Sequence, residues 1–431
     1  MLTAFVNAFK TPDLRKKLLF TLFIIALYRV GSVLPTPGVD AQAVRTCLGQ
    51  VQTGNSIYGM LNLFSGGALL QLSVFALTVM PYITASIIIQ LLTVVIPRLE
   101  ALKKEGQAGT QKITQYTRYL TVGLAVLQST TIIALARTPG QMFQGCQEDL
   151  IPNDSVLMLA TMVITMTAGT GVIMWFGELI TDRGVGNGMS ILIFVSIAAA
   201  FPSSLWAIRQ QQGWGIFLVV MAIGLVIMAA VIYVEQAQRR IPVQYTKRMI
   251  GRRAYGGSST YIPLKVNQAG VIPVIFASSL MYLPVLAAQF NPQASWAGWI
   301  NANIAQGGHP VYMIAFFLLI IGFTYFYVGI TFNPKEVADN MRKHGGFIPG
   351  IRAGRPTEEY LHYVLSRITA PGSLYLGVIS LIPLIAFVLI GANQNFPFGG
   401  TSILIVVGVG LDTVKQIESQ LQQRHYEGFL R

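Results

Sequence analysis

Side chains able to drive ion transport or catalysis are almost absent from the apolar segments of this 431-residue chain. Lysine and arginine supply 30 residues, and aspartate and glutamate supply 17, yet Arg29 is the one ionisable residue deep within a predicted apolar span. Ionisable groups inside a bilayer are costly and usually mark ion or proton pathways. Their absence argues against a proton- or ion-driven pump and leaves a passive pore, a flippase-like path or a scaffold. For Arg29 we expect a partner among helix-end carbonyls or from another subunit.

Motifs for nucleotide, metal or covalent chemistry are also missing from the sequence. There is no Walker A pattern, no HExxH and no Cys/His cluster with zinc spacing. The glycine-rich run at 184–188 follows no predicted strand, so it indicates a tight break between two helices rather than a dinucleotide site. We therefore expect no catalytic residue, no cofactor and no metal, and the chain is not expected to be an enzyme.

Ten apolar segments predict an all-α integral membrane protein with ten transmembrane helices. The chain is 53% hydrophobic and 11% charged, whereas soluble domains carry roughly 25% charged residues. A bilayer core of ~30 Å needs about 20 apolar residues per helix, and lipid leaves no other partner for backbone groups. The predicted spans are 18–36, 72–96, 119–136, 155–177, 188–206, 214–234, 269–289, 311–332, 369–391 and 396–411.

The distribution of positive charge predicts the orientation of these spans. All but four of the 30 lysine and arginine residues fall on one side, which the positive-inside rule assigns to the cytosol. With ten spans, both termini are then cytosolic. The exceptions are Arg45, Arg137 and Arg209 on the outer side, and Arg29 in the membrane. The first span has no small-residue cleavage site near 36, so it is expected to be retained rather than removed as a signal peptide.

The spans divide into two halves of five, 1–206 and 207–431. An odd number of spans per half inverts the second half relative to the first, a common plan for transport proteins with a path between the halves. The sequence VMPYITAS at 79–86 resembles VIPVIFAS at 271–278, early in the second span of each half. Coincidence in an apolar chain is the alternative explanation of this match.

Three further features leave alternatives open. The segment 58–73 is too short to span and contains Gly66-Gly67, so it is either a re-entrant, buried segment or an interfacial helix. Cys47 and Cys146 fall in predicted outer loops, either as a disulfide or as two unlinked thiols.

The third feature is a pair of long basic loops, 235–268 and 333–368, on the predicted cytosolic side. Long ordered loops are usually functional, so we favour docking surfaces for an acidic partner or for RNA. Topogenic charge with anionic lipid contact is the alternative.

Seven short motifs, in order along most of the chain, resemble the SecY family, the large subunits of bacterial protein-conducting channels. They are FSGGA (64–68), MPYITASIIIQ (80–90), RGVGNG (183–188), PLKVN (263–267), AGVIP (269–273), FNP (332–334) and PGIR (349–352). The resemblance implies two pseudo-symmetric five-helix halves around a central hourglass pore.

The resemblance also implies roles for individual residues. The pore would be closed by a ring of Val79, Ile83, Met189, Ile193, Ile275 and Ile405. The family usually has isoleucine there, and Val79 and Met189 depart mildly but stay apolar.

The segment 58–73 would be a plug containing Leu61, Phe64, Ser65, Gly66, Gly67, Ala68 and Leu69. Spans 2 and 7 would form a lateral gate facing spans 8 and 3, with Thr84, Ser86, Gln90, Pro273 and Ser278. The basic tips Arg252, Arg253 and Arg352 would bind a motor or the ribosome.

The implied function is passive translocation of unfolded secretory proteins, with sideways release of hydrophobic segments into lipid. The implied partners are the SecE and SecG small subunits, the SecA ATPase, the ribosome, signal peptides, nascent chains and membrane lipids. A bacterial plasma membrane is expected, and a thylakoid membrane is the alternative. Two other functions are possible alternatives. One is a secondary transporter of inverted-repeat type, which would need midplane charges or interrupted helices. The other is an assembly scaffold that conducts nothing.

Overall fold

The fold is mostly helical, with two small β-sheets. A computed structural model describes residues 11–50, 65–137, 148–245, 248–250, 253–255, 259–290, 294–305, 309–390 and 400–427. Its helices are α1 (Pro12–Val33), α2 (Ala41–Gln50), α3 (Met80–Val95), α4 (Pro97–Lys104), α5 (Gln107–Ala136), α6 (Val156–Arg183), α7 (Gly188–Gln236), α8 (Ile272–Phe290), α9 (Ser295–Asn303), α10 (Pro310–Thr331), α11 (Pro334–Lys343), α12 (Arg355–Ile390) and α13 (Gly400–Glu427).

Every predicted apolar span overlaps one of these helices in the part of the chain that the structure describes. Two predicted spans share α7, which Gly213 interrupts with a φ of 79°. By length and hydropathy alone, five described helical stretches could cross a membrane, and a bent pair, α3 with α4, raises this to six. The five are Gln107–Ala136, Val156–Arg183, Gly213–Gln236, Pro310–Lys343 and Arg355–Ile382.

The predicted second span, 72–96, is wrong at its start. Residues 66–79 form successive turns, and α3 begins only at Met80. Two non-glycine residues there adopt the left-handed region, Leu72 at φ 47° and Thr78 at φ 51°, which interrupts a right-handed helix. At the other end the chain bends by 100° between α3 and α4. This bend coincides with Ile96, the residue before Pro97, where helical backbone is disfavoured.

The turn segment 66–79 is held between the first and sixth helices. Its Ser73 bridges Pro35 just beyond α1. A Cβ atom at Gly31 of α1 would overlap the Phe75 ring, and one at Gly169 of α6 would overlap the Val74 carbonyl. The absence of side chains at these two glycines therefore lets both helices close on the segment.

The two long basic loops fold together into one unit, which was not predicted. The strands are β1 (Gln238–Tyr245), β2 (Arg248–Ile250), β3 (Arg253–Tyr255), β4 (Ser259–Lys265) and β5 (Gly346–Phe347). β1 pairs antiparallel with β4 along its length and with β5 at its end, and β2 pairs with β3. We call β1, β4, β5, α11 and the first turns of α12 the loop unit. Its apolar core contains Ile241, Val243, Leu264, Met341, Ile348, Leu361 and Val364.

The largest core joins the two halves of the chain. It contains buried residues of α1 and α6 from the first half, of α7, which spans the boundary between the halves, and of α8, α10, α12 and α13 from the second half. A second core surrounds α2, the C-terminal end of α5 and the N-terminal end of α6, and Cys47 within it is fully buried and disulfide-bonded. Cys146, the other cysteine of the sequence, lies outside the described residues.

Candidate functional site

A very small apolar cavity lies where the two halves meet. Its volume is about 10 Å³, which is roughly enough for one water molecule. None of the residues that line it is ionisable. They are Thr78, Val79, Met80, Ile83, Ile193, Ile275 and Ser278. We call this group the constriction.

The internal repeat positions two of these side chains equivalently. In the match of 79–86 with 271–278, α3 and α8 begin at corresponding residues, Met80 and Ile272. Ile83 and Ile275 therefore occupy the same place, one turn into each helix, and both line the constriction. Pro81 and Pro273 sit in the first turn, where a proline removes no helical hydrogen bond, so they do not kink these helices.

The predicted ring is only partly assembled around this cavity. Val79, Ile83, Ile193 and Ile275 line it. Met189 instead packs on α6, where a Cβ at Gly177 would lie 2.5 Å from its sulfur. Ile405 of α13 is 1% exposed within the main core. Neither Met189 nor Ile405 is among the residues that line the constriction.

The helices of the predicted lateral gate are in contact. α8 packs against α3, α5 and α10, which puts the helices of spans 2, 3, 7 and 8 side by side, while their role as a gate stays a prediction. Of the predicted gate residues, Ser278 reaches the constriction. The Thr84 hydroxyl donates to the Met80 carbonyl of its own helix at 3.0 Å. Ser86 and Gln90 are half-buried on α3, and Pro273 is buried at the start of α8.

The described part of the predicted plug is a buried turn and not an interfacial helix. Ala68 and Leu69 are 1% and 7% exposed. The Leu69 amide donates to the Ser65 hydroxyl at 3.1 Å, and Gly66 and Gly67 adopt φ values of 63° and 93°. Only glycine adopts such values at no steric cost. Leu61 and Phe64 lie outside the described residues.

Arg29 lies beside this turn. A Cβ at Gly66 would be 3.0 Å from Arg29 Nη1 and 2.8 Å from the Ser196 carbonyl. Nη1 is buried and has no hydrogen-bond partner in the structure, so the expected carbonyl partner is not found for this atom. The neighbouring Tyr28 is better satisfied, because its hydroxyl bonds the Ser196 hydroxyl at 2.6 Å and its ring stacks on Phe75.

A larger, polar cavity of about 470 Å³ lies next to the constriction along α8. Ile272 at the start of α8 lines the large cavity, and Ile275, one turn later, lines the constriction. The large cavity is otherwise lined by Asn187, Ser190, Val409, Asp412, Thr413, Lys415, Gln416 and Ser419. The two cavities thus lie one helical turn apart along α8, the larger lined mostly by polar residues and the smaller mostly by aliphatic ones.

Two of the three predicted docking residues, Arg253 and Arg352, fall within the described part of the chain. Arg253 is in β3, where its backbone pairs with Ile250. Arg352 is exposed between Gly350 and Gly354, which have φ values of 84° and 105°. Its carbonyl accepts from the Thr357 hydroxyl at 2.8 Å, which fixes the backbone of this turn. Arg252 lies outside the described residues.

Sequence reasoning missed two polar pairs near the predicted gate. Arg118 of α5 makes two 2.8 Å hydrogen bonds to the Glu178 carboxylate of α6. Asn267 Nδ2 donates to Glu235 Oε1 at 2.6 Å, and both residues are buried. Arg118, Glu178 and Glu235 lie one residue beyond the predicted spans, so a count of charges inside spans could not find them.

A model of the SecY family matches residues 73–414. The chain belongs to the SecY family. It is 68% identical to the protein translocase subunit SecY of Streptomyces scabiei and 59% identical to that of Mycobacterium bovis, and each alignment covers all of both chains. Members of this family are subunits of a protein translocase and are not themselves enzymes. The chain is a multi-pass membrane protein.

Solved structures of protein-conducting channels share this fold at low sequence identity. One such channel has a TM-score of 0.62 at 19% identity, over 94% of this chain and 91% of its own. A SecY structure concerned with the plug domain has a TM-score of 0.64 at 18% identity with the same coverage. Sec61 in the canine ribosome-channel complex has a TM-score of 0.57 at 17% identity, also with that coverage. At these identities the likeness establishes the fold alone.

Proposed function

We propose that the chain is a passive protein-conducting channel that passes unfolded secretory proteins and releases hydrophobic segments sideways into lipid. The observation that carries the proposal is the constriction, where aliphatic side chains from both halves close on about 10 Å³ beside a polar cavity of about 470 Å³. A channel for unfolded chains must pass every side-chain type, so it cannot use a specific polar filter. An aliphatic constriction dewets when empty and yields when filled.

The lateral gate would be formed by the same helices that line the constriction. α8 lines the constriction through Ile275 and Ser278 and contacts α3 and α5. An apolar residue gains roughly 0.3–0.6 kcal/mol at the membrane centre, so about ten of them supply ~3–6 kcal/mol once a gate opens. Lateral release therefore needs no catalytic group.

The plug would be the segment 58–73, of which Gly66 lies against Arg29 and Ser196. The close approach of Gly66 to both residues supports this role. A structurally similar SecY protein is described as having a plug domain that stabilises the closed state and maintains a membrane seal. The remaining ring members, Met189 and Ile405, would join the path only in a different arrangement of α7 and α13.

The partners proposed are SecE, SecG, the SecA ATPase, the ribosome, signal peptides and nascent chains. Arg252, Arg253 and Arg352 would form the docking surface, and the exposed position of Arg352 supports it. A structural relative was solved as a ribosome-channel complex. The bacterial sources of the curated relatives favour a plasma membrane over a thylakoid membrane, and the charge distribution favours cytosolic termini.

The test is translocation by the reconstituted complex. The protein is incorporated with SecE and SecG into proteoliposomes, and SecA, ATP and an unfolded precursor are added outside. Protease protection of the precursor that depends on ATP is the expected result. Uptake of a small solute driven by an ion gradient, without precursor protection, would favour the secondary transporter instead.

A further inference from the structure

Glu235 and Asn267 form a buried joint at the base of the β1–β4 hairpin. We propose that they are positioning residues through which a partner docked on this hairpin moves the gate helix α8. The proposal rests on the channel function proposed above and adds a mechanical link between docking and opening.

The hairpin is continuous with two membrane helices. β1 begins at Gln238, two residues after α7 ends at Gln236, and β4 ends at Lys265, shortly before α8 begins at Ile272. Every residue from 238 to 244 on β1 pairs with one on β4. The loop-unit core packs beneath this ladder. A paired, packed hairpin moves as one body, so a force on its tip reaches the ends of both helices.

The joint ties these two ends together. Asn267 Nδ2 donates to Glu235 Oε1 at 2.6 Å and to the Gly270 carbonyl at 3.1 Å. The Val266 amide donates to the Ala237 carbonyl at 3.0 Å. Glu235 is 7% exposed and Asn267 is 2% exposed. A buried hydrogen bond to a carboxylate is short, directional and costly to break on one side only.

The surroundings of the joint provide for a second arrangement. Gly270, between Asn267 and α8, has a φ of 63° and open space where a Cβ would lie. Among the described residues, Asn267 Oδ1 and Tyr375 Oη of α12 are buried and have no hydrogen-bond partner. A tilt of the joint that brought the Tyr375 hydroxyl to Asn267 Oδ1 would satisfy both atoms. The hydrogen bond between Tyr375 and Asn267 is therefore absent in this arrangement and could form when the hairpin moves.

The charges around Glu235 supply a matched control. Lys265, Asp412 and Lys415 interact electrostatically with its carboxylate. Lys265 also pairs with Asp412 at 3.5 Å, but these side chains are 40% and 66% exposed. Exposed pairs of this kind contribute little. Loss of the Lys265 charge should therefore leave the coupling intact, although Lys265 is adjacent to the joint.

The test compares Asn267→Ala with Glu235→Gln, which keeps an oxygen for the Asn267 amide. In SecA-driven translocation, N267A should lower the initial rate about tenfold, the scale of one lost hydrogen bond to a charged group. E235Q and the control K265A should stay within about twofold of wild type, as expected where no buried bond is lost. SecA affinity for the proteoliposomes should be unchanged in all three.

Gate position is followed by a disulfide between cysteines at Ile83 and Ser278, which face the same cavity. SecA with ATP should reduce its formation in the wild-type background and not in N267A. N267A leaves the buried Glu235 carboxylate unpaired, which could itself disturb the structure. The double variant Glu235→Leu/Asn267→Leu removes the same hydrogen bond without leaving an unpaired charge. It should also translocate slowly while SecA still binds.

The joint has no coupling role if N267A or the double variant translocates at the wild-type rate. Loss of SecA binding in step with translocation would also overturn it, because the pair would then only support folding. If the wild-type complex itself fails to protect the precursor, the channel function fails instead, which separates the two proposals.

Discussion

The constriction and the joint are two small contacts that both connect α8 to other helices, yet they are built from opposite chemistry. The constriction is lined by aliphatic, hydroxyl and thioether side chains without any ionisable group. The joint consists of a buried carboxylate and amide with hydrogen bonds of 2.6 and 3.1 Å. Apolar packing has no preferred direction and tolerates exchange of similar side chains, whereas a buried hydrogen bond requires two particular partners.

This difference indicates which contact should open and which should transmit. A seal that must yield to any peptide is best made of contacts that can be broken without leaving unpaired polar groups. A connection that must carry motion is best made of directional bonds to the backbone on both sides. The departure of Val79 from isoleucine fits the first case, since its side chain remains apolar and lines the constriction.

The largest expected effect comes from putting the chemistry of the joint into the constriction. Ile275→Asp places a carboxylate in the aliphatic closure, where a charge costs about 2.5–3.5 kcal/mol and holds water around it. We expect about a hundredfold rise in ion conductance of bilayers that contain the channel, since each 1.4 kcal/mol is a tenfold change. Ile275→Val is the control and should conduct like wild type. Equal conductance of I275D and I275V would remove the constriction as the seal.

A smaller effect is expected at the docking surface, away from both contacts. Arg352→Glu reverses an exposed charge in the turn between β5 and α12. SecA-driven translocation should fall about tenfold through slower association, as electrostatic steering predicts, and the loss should grow weaker with added salt. Arg45→Glu, an equal change at an exposed site on the predicted outer side, should have no effect. A similar loss in both variants would show a general charge effect and not docking.

The smallest effect has the opposite sign and concerns a polar group that is not satisfied. In the described part of the chain, Arg29 Nη1 is buried beside Gly66 without a hydrogen-bond partner. Leaving such a group unpaired costs about 1–3 kcal/mol. Arg29→Met keeps the approximate length of the side chain and removes the unpaired buried polar group. The closed state, in which the turn packs beside residue 29, should therefore become more stable. We expect the resting leak to fall roughly fivefold, the scale of 1 kcal/mol. Tyr28→Phe, which loses the bond to Ser196, should raise the leak. A higher leak in R29M would mean that Arg29 holds the turn in place.

The helices of this fold were predictable because lipid imposes their composition. Each predicted span falls on a helix in the described chain, since a long apolar segment has few alternatives in a bilayer. The start of α3 was not predictable in this way. Residues 72–79 are as apolar as the helix that follows, and the left-handed backbone at Leu72 and Thr78 leaves no trace in hydropathy.

The sequence of the β1–β4 hairpin contains a strand pattern, but the basic residues around it make that pattern hard to recognise. Ile241 and Val243 alternate with Arg240 and Gln244, which is the pattern of a half-buried strand. The surrounding basic residues and Pro242 obscure this alternation, so composition alone predicts a loop for 235–268. The joint had no such signal, because Glu235 and Asn267 are 32 residues apart and meet only after the hairpin has formed.

The site was predicted as a set of residues and not as a geometry. Val79, Ile83, Ile193 and Ile275 do surround one cavity, and the internal match accounts for Ile83 and Ile275. Motif registration shows which residues correspond to the family ring. It does not show which way a side chain points, and Met189 packs on Gly177 instead.

The most direct test of the central claim is contact between a translocating chain and the constriction. Single cysteines are placed at Ile83, Ile193 and Ile275, and a precursor carrying a folded block at its end is stalled during SecA-driven translocation. Leu318 of α10, which is 62% exposed, is the control for lipid-facing positions. Cross-links from the stalled precursor to all three constriction cysteines and none at Leu318 are predicted. Cross-links at Leu318 with none at the three constriction positions would contradict the account.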